Sequence, residues 1–337
     1  MNRGLLVIFL LLTLPLSAQQ WYFWMDEYQP AERPWLQSSQ QILWLNNTLP
    51  QPADFGHSIV VDGEVISNAQ VALDNAALHC LFTATQVMDE SMEFARVELQ
   101  EQSQNTSTNY YARQSLSNLQ MRDLCLQYET EALVVLNQLV LYDIVESFPT
   151  NEGYYAYLQA YAQSNWTVYN ASKNRSTSFT YADTLLWESD IQYVRSDALK
   201  QLPNRTDALL YLAREVGTMV SESLTPQWVP TKRYLYDHKD ETLQTGINAF
   251  RLQRWNEAIQ VWQTAISHTD KKTAAFAAAN IAIAFEMQGD YASACDYAQR
   301  AIRLFGAWKT AYGRQQQVNI RYYLGLLQEK RARQGDQ

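Results

Sequence analysis

The sequence predicts an α+β fold, in which an N-terminal mixed-sheet α/β sandwich domain is followed by an all-helical repeat domain. Short β-rich runs alternate with helical stretches up to about residue 236, and helical periodicity then continues almost to the end. Of the 337 residues, 47% are hydrophobic and 18% are charged, a balance that supports packed cores in two domains. We expect the α/β domain over residues 19–236 and the helical domain over residues 237–337.

The first 18 residues have the features of a secretory signal peptide. A short basic segment at residues 1–3 precedes an apolar run at 5–16, and a small-residue cleavage site ends at Ala18. The apolar run is shorter than the roughly 20 residues that a membrane-spanning helix needs, and no later segment is both long and uncharged. We therefore expect an exported protein with no transmembrane segment after signal cleavage.

Alternating apolar residues and turn signals predict the strands of the first domain. The run at 132–144 has the Val- and Leu-rich composition of a central buried strand, and Asp62-Gly63 is a hairpin turn signal. An aromatic-rich hairpin is expected around the polar loop at 169–175. The predicted strands are residues 42–45, a hairpin within 58–66, 93–99, 132–144, 154–168, 178–187 and the extended segment 227–236.

Helical spacing of apolar residues predicts three helices in the same domain, at 68–88, 117–128 and 207–224. The last of them stops before Pro226, which cannot continue a helix. Together the predicted elements follow the order strand, helix, strand, helix, strand, hairpin and helix. This order indicates helices packed on a mixed sheet.

The second domain contains an internal repeat. Trp255 and Ala258 of a first unit correspond to Tyr291 and Ala294 of a second, at an offset of 36 residues. The pattern resembles the tetratricopeptide repeat, in which two antiparallel helices approach closely at small residues, here Gly246 and Ala282. A further helix over residues 318–333 is expected to cap the stack, because two repeats seldom bury their faces alone.

First-helix residues of such repeats would line an inner groove. We predict this groove as the partner-binding site, because its mixture of apolar and charged side chains suits a peptide or a protein surface. It lacks the Lys and Asn residues with which some such repeats hold a C-terminal carboxylate. The predicted groove residues are Leu243, Ile247, Phe250, Arg251, Phe276, Ala279 and Glu286.

Common catalytic and cofactor motifs do not occur in the sequence, among them Gly-x-Ser-x-Gly, the Walker-type loop, Gly-x-Gly-x-x-Gly and His-Glu-x-x-His. The four histidines lack metal-ligand spacing, and the net charge of −9 disfavours nucleic acid. We predict a non-enzymatic protein without cofactor, metal or nucleic-acid partner. A hydrolase would require carboxylates or histidines that converge in a cleft, which the sequence alone does not place.

The three cysteines are an odd number, so at least one has no partner within the chain. Cys80, Cys125 and Cys295 each lie in an apolar helical stretch, which indicates small buried hydrophobic side chains. A disulfide between Cys80 and Cys125 is the alternative.

Aromatic side chains are concentrated in two segments. Those near the mature N-terminus are expected to dock on the protein itself, or alternatively to contact a partner or a membrane surface. Those along residues 154–169 are expected to pack a sheet face rather than to stack on sugars. The first group consists of Trp21, Tyr22, Phe23, Trp24, Tyr28 and Trp35.

The chain is similar to an uncharacterised family of exported proteins of Gram-negative bacteria, in which a domain of unknown function precedes tetratricopeptide-like helices. Four segments carry this resemblance: residues 43–48 (LWLNNT), 165–169 (NWTVY), 224–236 (LTPQW and RYLY) and 254–258 (RWNEA). The chain departs from the family in having Asn47 in place of Arg and no lipobox Cys. The resemblance implies the periplasm or the cell envelope, with outer-membrane association as one option, and supplies no catalytic residue.

The sequence therefore favours a non-enzymatic envelope protein that acts as a protein-binding scaffold through its repeats. Its expected partner is another envelope protein or a peptide. The alternative is a periplasmic glycan-binding protein that uses exposed Trp and Tyr side chains.

Overall fold

A computed structural model describes residues 20–111, 115–238, 240–267 and 270–335. The chain divides into two units. The sheet unit is Tyr28–Val229, and the helical unit combines the described parts of Met1–Glu27 and Pro230–Gln337. The signal peptide predicted over residues 1–18 lies outside the described residues.

The element order confirms the predicted α+β class. The strands are β1 (Gln20–Gln29), β2 (Gln41–Asn46), β3 (His57–Val61), β4 (Glu64–Asn68), β5 (Arg96–Gln100), β6 (Ala132–Thr150), β7 (Gly153–Asn170), β8 (Arg175–Glu188) and β9 (Gln227–Tyr236). The α-helices are α1 (Ala76–Glu90), α2 (Asn118–Gln127), α3 (Arg195–Lys200), α4 (Arg205–Leu224), α5 (Glu241–Arg251), α6 (Trp255–Ile266), α7 (Lys271–Met287), α8 (Tyr291–Gly306) and α9 (Ala311–Gly335). A short 3-10 helix spans Pro34–Ser38.

The long strand β6 organises the sheet unit. On one edge, its first half pairs in parallel with β2 and its second half in parallel with β3. On the other edge it pairs antiparallel with β7, and β7 pairs with β8. The outer strands β5 and β4 add to β2 and β3, so the sheet is mixed, as predicted.

Alternation along the strands gives the sheet two different faces. Trp44 and Trp166 point to the face covered by α1 and α4, where their rings meet edge to face at 5.7 Å. Leu43 and Leu133 point to the opposite face, where α2 covers only the beginning of the sheet. The remainder of that second face, along β6, β7 and β8, carries no helix of the described residues.

Between β2 and β3, the edge of β6 is completed by a side chain rather than by a strand. The Gln51 amide donates to the Leu141 carbonyl at 2.5 Å and accepts from the Leu141 N–H at 2.8 Å. These are the bonds that a neighbouring strand would supply. The gap between the two parallel partners of β6 is thereby closed.

Some predicted boundaries were wrong. The helix expected at 68–88 begins only at Ala76, because residues before it are held in an extended segment by a bond from Val71 N–H to the Ala53 carbonyl, 2.8 Å. The buried strand expected to end at 144 continues to Thr150, and the capping helix begins at Ala311 instead of 318. The residue pattern of the sequence predicted neither strand β1 nor helix α3.

The helical unit contains two successive helix pairs, α5 with α6 and α7 with α8, followed by α9. Gly246 of α5 lies against Trp262 of α6, and a Cβ at Gly246 would stand 2.1 Å from Trp262 Nε1. The same indole nitrogen donates to the Leu243 carbonyl at 3.1 Å. Gly246 therefore lies at a close helix crossing, as predicted from the sequence.

Replacing Gly246 by Ala should destabilise the protein by about 1–3 kcal/mol, because the new methyl group would overlap the buried Trp262 ring. Gly325→Ala is the matched control, since a Cβ there meets no atom within 4 Å. Removing a helical glycine at an open position should stabilise by about 0.5–1 kcal/mol. Denaturant unfolding of both variants checks this contrast, and equal effects would contradict the close crossing.

Candidate functional site

A two-stranded ribbon covers the inner side of the helix pairs. We define the ribbon as residues 20–27 of β1 and 230–236 of β9, which pair with one another. Phe23 lies 5.1 Å from Phe250, ring centre to ring centre, and Tyr236 stacks on Phe276 at 4.8 Å. The chain's own ribbon therefore contacts residues that the sequence predicted as a groove for a partner.

Six of the seven predicted groove residues are buried in the helical unit: Leu243, Ile247, Phe250, Phe276, Ala279 and Glu286. Arg251 is exposed, with its guanidinium 5.2 Å from the Trp21 ring centre. The structure thus brings Phe250, Arg251, Phe276 and Glu286 together around the ribbon. As contacts to a partner, the seven residues stay a prediction.

Part of the aromatic N-terminal segment docks on the protein itself. Trp21 and Phe23 pack against the hydrophobic core of the helical unit. Tyr22 and Trp24, on the other side of the same strand, are 52% and 61% exposed. Lys232 of β9 joins them, with its ammonium 3.8 Å from the Tyr22 ring centre, a cation–π contact.

A buried cluster of ionised groups fixes the ribbon to the helices. Arg233 of the ribbon donates to Glu286 of α7 at 2.9 and 3.1 Å and to Glu27 of β1 at 2.9 Å. Lys330 of α9 pairs with Glu286 at 2.7 Å and with Glu27 at 3.0 Å. The Tyr323 hydroxyl donates to Glu286 at 2.7 Å. Two carboxylates and two cations therefore balance one another inside the unit.

The electrostatics of this cluster keep both carboxyl groups ionised. Burial raises the pKa of Glu286, but the hydrogen bonds and charges of Arg233 and Lys330 outweigh it and lower that pKa below its ordinary value. The pKa of Glu27 is lowered by the same balance. Burial beside Glu286 also raises the pKa of the Tyr323 hydroxyl, which stays a donor.

An open cleft lies beside this cluster, between β9, α7 and α9. Its volume is about 710 Å³, within the range of small-ligand and peptide pockets. Lys232 and Tyr234 of β9 face Asn319 and Tyr322 of α9 across it. Tyr322 is 73% exposed, and no carboxylate is among the described residues that line the cleft.

At one end of the cleft, a side-chain amide is bound to the outer edge of β9. The Asn280 side chain of α7 accepts from the Tyr236 N–H at 2.8 Å and donates to the Tyr236 carbonyl at 3.0 Å. Asn280 thus supplies at Tyr236 both bonds that a paired strand would make.

The uncovered face of the sheet unit is a second candidate surface. Tyr142 and Tyr161 stack on it in parallel, 4.7 Å between ring centres. Four residues farther along β7, a row of hydrogen bonds crosses the strands from Asn165 to Gln138 at 3.0 Å and from Thr180 to Asn165 at 2.8 Å. The face therefore offers aromatic rings together with amides and hydroxyls.

The buried pair of His57 and Asp143 resembles part of a catalytic triad and links three elements of the sheet unit. Asp143 binds His57 Nδ1 at 2.6 Å and accepts from Arg205 Nε at 2.6 Å, which joins β3, β6 and the first turn of α4. Burial raises the pKa of Asp143, and the bonds from His57 and Arg205 lower it below its ordinary value overall. His57 Nε2 has no hydrogen-bond partner among the described residues, so no nucleophile of that part of the chain is in reach.

The three cysteines are buried free thiols. Cys80, Cys125 and Cys295 are free and buried, and Cys80 and Cys125 pack on opposite faces of the sheet, so the alternative of a disulfide between them is wrong. Burial raises the pKa of the Cys125 thiol to about 11. Within the described ranges, no three His, Cys, Asp or Glu side chains gather as metal ligands, and no helix has the length and apolar character to cross a membrane.

These features define an α+β protein with a mixed-sheet unit and a helical unit that carries an open cleft. The chain belongs to the family of the Domain of unknown function (DUF8603), which matches residues 39–236. A second Domain of unknown function (DUF6340) matches residues 244–329. Both matches fit the resemblance to an uncharacterised family with an N-terminal domain of unknown function.

No curated protein matches the chain. Among solved structures, the PelC dodecamer from Paraburkholderia phytofirmans is similar at 9% identity, over 61% of this chain and 100% of that chain, with a TM-score of 0.26. A variant of the same dodecamer is similar at 8% identity, over 59% of this chain and 99% of that chain, also at 0.26. TM-scores this low do not establish a shared fold.

Replacing Glu286 by Gln should cost about 3–5 kcal/mol of unfolding free energy, because two buried cations then share only Glu27. Glu257→Gln is the control, since its pair with Arg254 at 3.6 Å is exposed and should matter by less than about 0.5 kcal/mol. Chemical denaturation measures both variants.

The pH dependence gives a further readout of the same variant. Because the folded-state pKa of Glu286 is lowered, its stabilisation is present above the ordinary glutamate pKa and is lost as the pH falls through the folded value. Glu286→Gln should therefore lose less stability on acidification than the unchanged protein. An identical pH profile would show that Glu286 is not held ionised in the fold.

Proposed function

We propose that this chain is a non-enzymatic protein of the Gram-negative cell envelope that acts as a protein-binding scaffold through tetratricopeptide-like repeats. The observation that carries the proposal is the open cleft of the helical unit beside β9 and α9. It combines a strand with exposed aromatic and amide side chains, a mixture that suits protein recognition.

The position of the ribbon favours this cleft as the partner-binding site, rather than the inner groove that the sequence predicted. Phe250 and Phe276 already pack on ribbon side chains, so binding there would require the ribbon to leave. Tyr234 and Tyr322 are 43% and 73% exposed and are accessible without such a change. Partly exposed Tyr side chains are frequent anchors in protein interfaces.

The absence of catalytic motifs from the sequence supports a binding role. The buried dyad of His57 and Asp143 is used to hold β3, β6 and α4 together. Export, location in the envelope and the identity of the bound protein belong to the same proposal.

Site-specific photocrosslinking tests the scaffold role in the native envelope. A photoreactive phenylalanine at Tyr322 should give one reproducible adduct, identified by mass spectrometry and then reproduced with the purified partner. The same probe at Tyr193, which is 92% exposed in the sheet unit, is the control. The yield of the adduct should fall when Tyr234→Ala is added, and adducts common to both positions, or none at Tyr322, would refute the proposal.

Glycan binding is a second candidate, favoured by the uncovered sheet face. The stacked Tyr142 and Tyr161 rings and, four residues farther along β7, the Asn165 and Thr180 side chains provide apolar and hydrogen-bonding contacts suited to an oligosaccharide. In calorimetry with envelope oligosaccharides, Tyr161→Ala should weaken binding at least tenfold, and Tyr193→Ala should leave it unchanged. Equal affinity of both variants, or no heat from any oligosaccharide, would exclude this face.

A further inference from the structure

We propose that the cleft of the helical unit binds an extended segment of its partner by strand addition to the outer edge of β9, with an acidic residue of that segment at Lys232. This inference rests on the proposed scaffold function and deepens it, because it states the conformation and the charge of what is bound. Strand addition derives its affinity from main-chain hydrogen bonds and its specificity from alternate side chains.

Two observations show which backbone groups of β9 face away from β1. Asn280 of α7 binds both the N–H and the carbonyl of Tyr236, so the backbone of Tyr236 points outward. Pro230 has no N–H and belongs at strand positions that do not donate to the neighbouring strand. Since alternate residues of a strand present their backbone groups to the same side, Lys232 and Tyr234 also point outward.

The outward groups of Lys232 and Tyr234 lie at the cleft. Both residues line it, and β1 and β9 form a sheet of only two strands in the described residues. The Lys232 carbonyl accepts a long bond of 3.5 Å from its neighbour Arg233 and keeps a second lone pair. The outer edge of β9 therefore offers backbone N–H donors and carbonyl acceptors at Lys232 and Tyr234, spaced as in a paired strand. At Tyr236 the Asn280 side chain occupies both backbone groups, so the open part of the edge ends before that residue.

The size of the edge sets the length of the segment. From Pro230 to Tyr234 the strand has five residues, which at about 3.3 Å per residue corresponds to roughly 17 Å of extended chain. An incoming segment of about this length would make its backbone bonds with Lys232 and Tyr234. Tyr322 of α9 and Tyr234 would then flank its side chains.

The charges around the cleft favour a bound segment that carries an acidic residue. Lys232 forms no ion pair with a carboxylate of the described residues, whereas the neighbouring Arg233 is neutralised by Glu27 and Glu286. Among the described residues, no carboxylate lines the cleft, although the whole chain has a net charge of −9. A Glu or Asp of the segment would therefore meet a cation that contacts the Tyr22 ring at 3.8 Å but pairs with no carboxylate of the described residues, and a basic residue would be disfavoured.

Peptide selection followed by binding measurements tests the inference. Random peptides displayed on phage and selected on the purified mature protein should be enriched in β-formers with at least one Glu or Asp and no central Pro. In fluorescence anisotropy, N-methylation of alternate backbone amides of a selected peptide should weaken binding at least tenfold at the bonding positions, with little effect at the positions between. This readout needs no change in the protein.

Protein variants supply the reciprocal test. Tyr234→Pro removes the outward N–H and should weaken peptide binding at least tenfold more than Tyr234→Ala, which removes only the ring. Lys232→Glu should weaken acidic peptides at least tenfold, and Lys232→Gln less. Thermal unfolding identifies any variant that fails to fold, and in that case the N-methyl series decides.

The outcomes separate this inference from the proposed function. If Tyr322 crosslinks one partner but neither N-methylation nor Tyr234→Pro alters binding, the scaffold role stands and strand addition is wrong. If selected peptides carry Lys or Arg instead of Glu or Asp, or if none is selected, the acidic extended segment is also wrong. A failed crosslink at Tyr322 refutes the scaffold role itself.

Discussion

The helical unit depends on the buried contact between Arg233 and Glu286. Arg233 belongs to the ribbon and Glu286 to α7, so their two bonds of 2.9 and 3.1 Å hold the ribbon on the helices. Glu27 and Lys330 bind the same pair, and neither cation is left uncompensated in the interior. With the ribbon in this place, the inner side of the helix pairs is covered and the cleft beside α9 is an accessible concave surface.

In each of the two units, a side-chain amide completes part of a strand edge. Gln51 pairs with the backbone of Leu141 in the sheet unit, and Asn280 pairs with that of Tyr236 in the helical unit. Such amides satisfy backbone groups that would otherwise be buried without partners. The edge of β9 before Tyr236 lies at the open cleft instead, which is why a segment from another molecule is suited to it.

Elements with strong local signals were predictable from the sequence. The Asp62-Gly63 hairpin, the Val- and Leu-rich β6 and the close crossing at Gly246 depend on residues near one another in the chain. The ribbon was not predictable in this way, since Glu27 and Arg233 are 206 residues apart and no local period reports their pairing. The spacing of the sequence places Glu286 on the inner helix face, but its partners come from β9 and α9, outside the two helix pairs.

Residue-resolved amide hydrogen exchange across residues 230–236 tests most directly whether the ribbon forms and leaves its outer edge open. We expect alternation in the free protein: slow exchange at Arg233 and Leu235, whose N–H groups are inferred to face β1, and faster exchange at Lys232 and Tyr234. Tyr236 should be slow because Asn280 binds it. Uniformly fast exchange would show that the ribbon is not formed, and uniform protection would show that the edge of β9 is already paired.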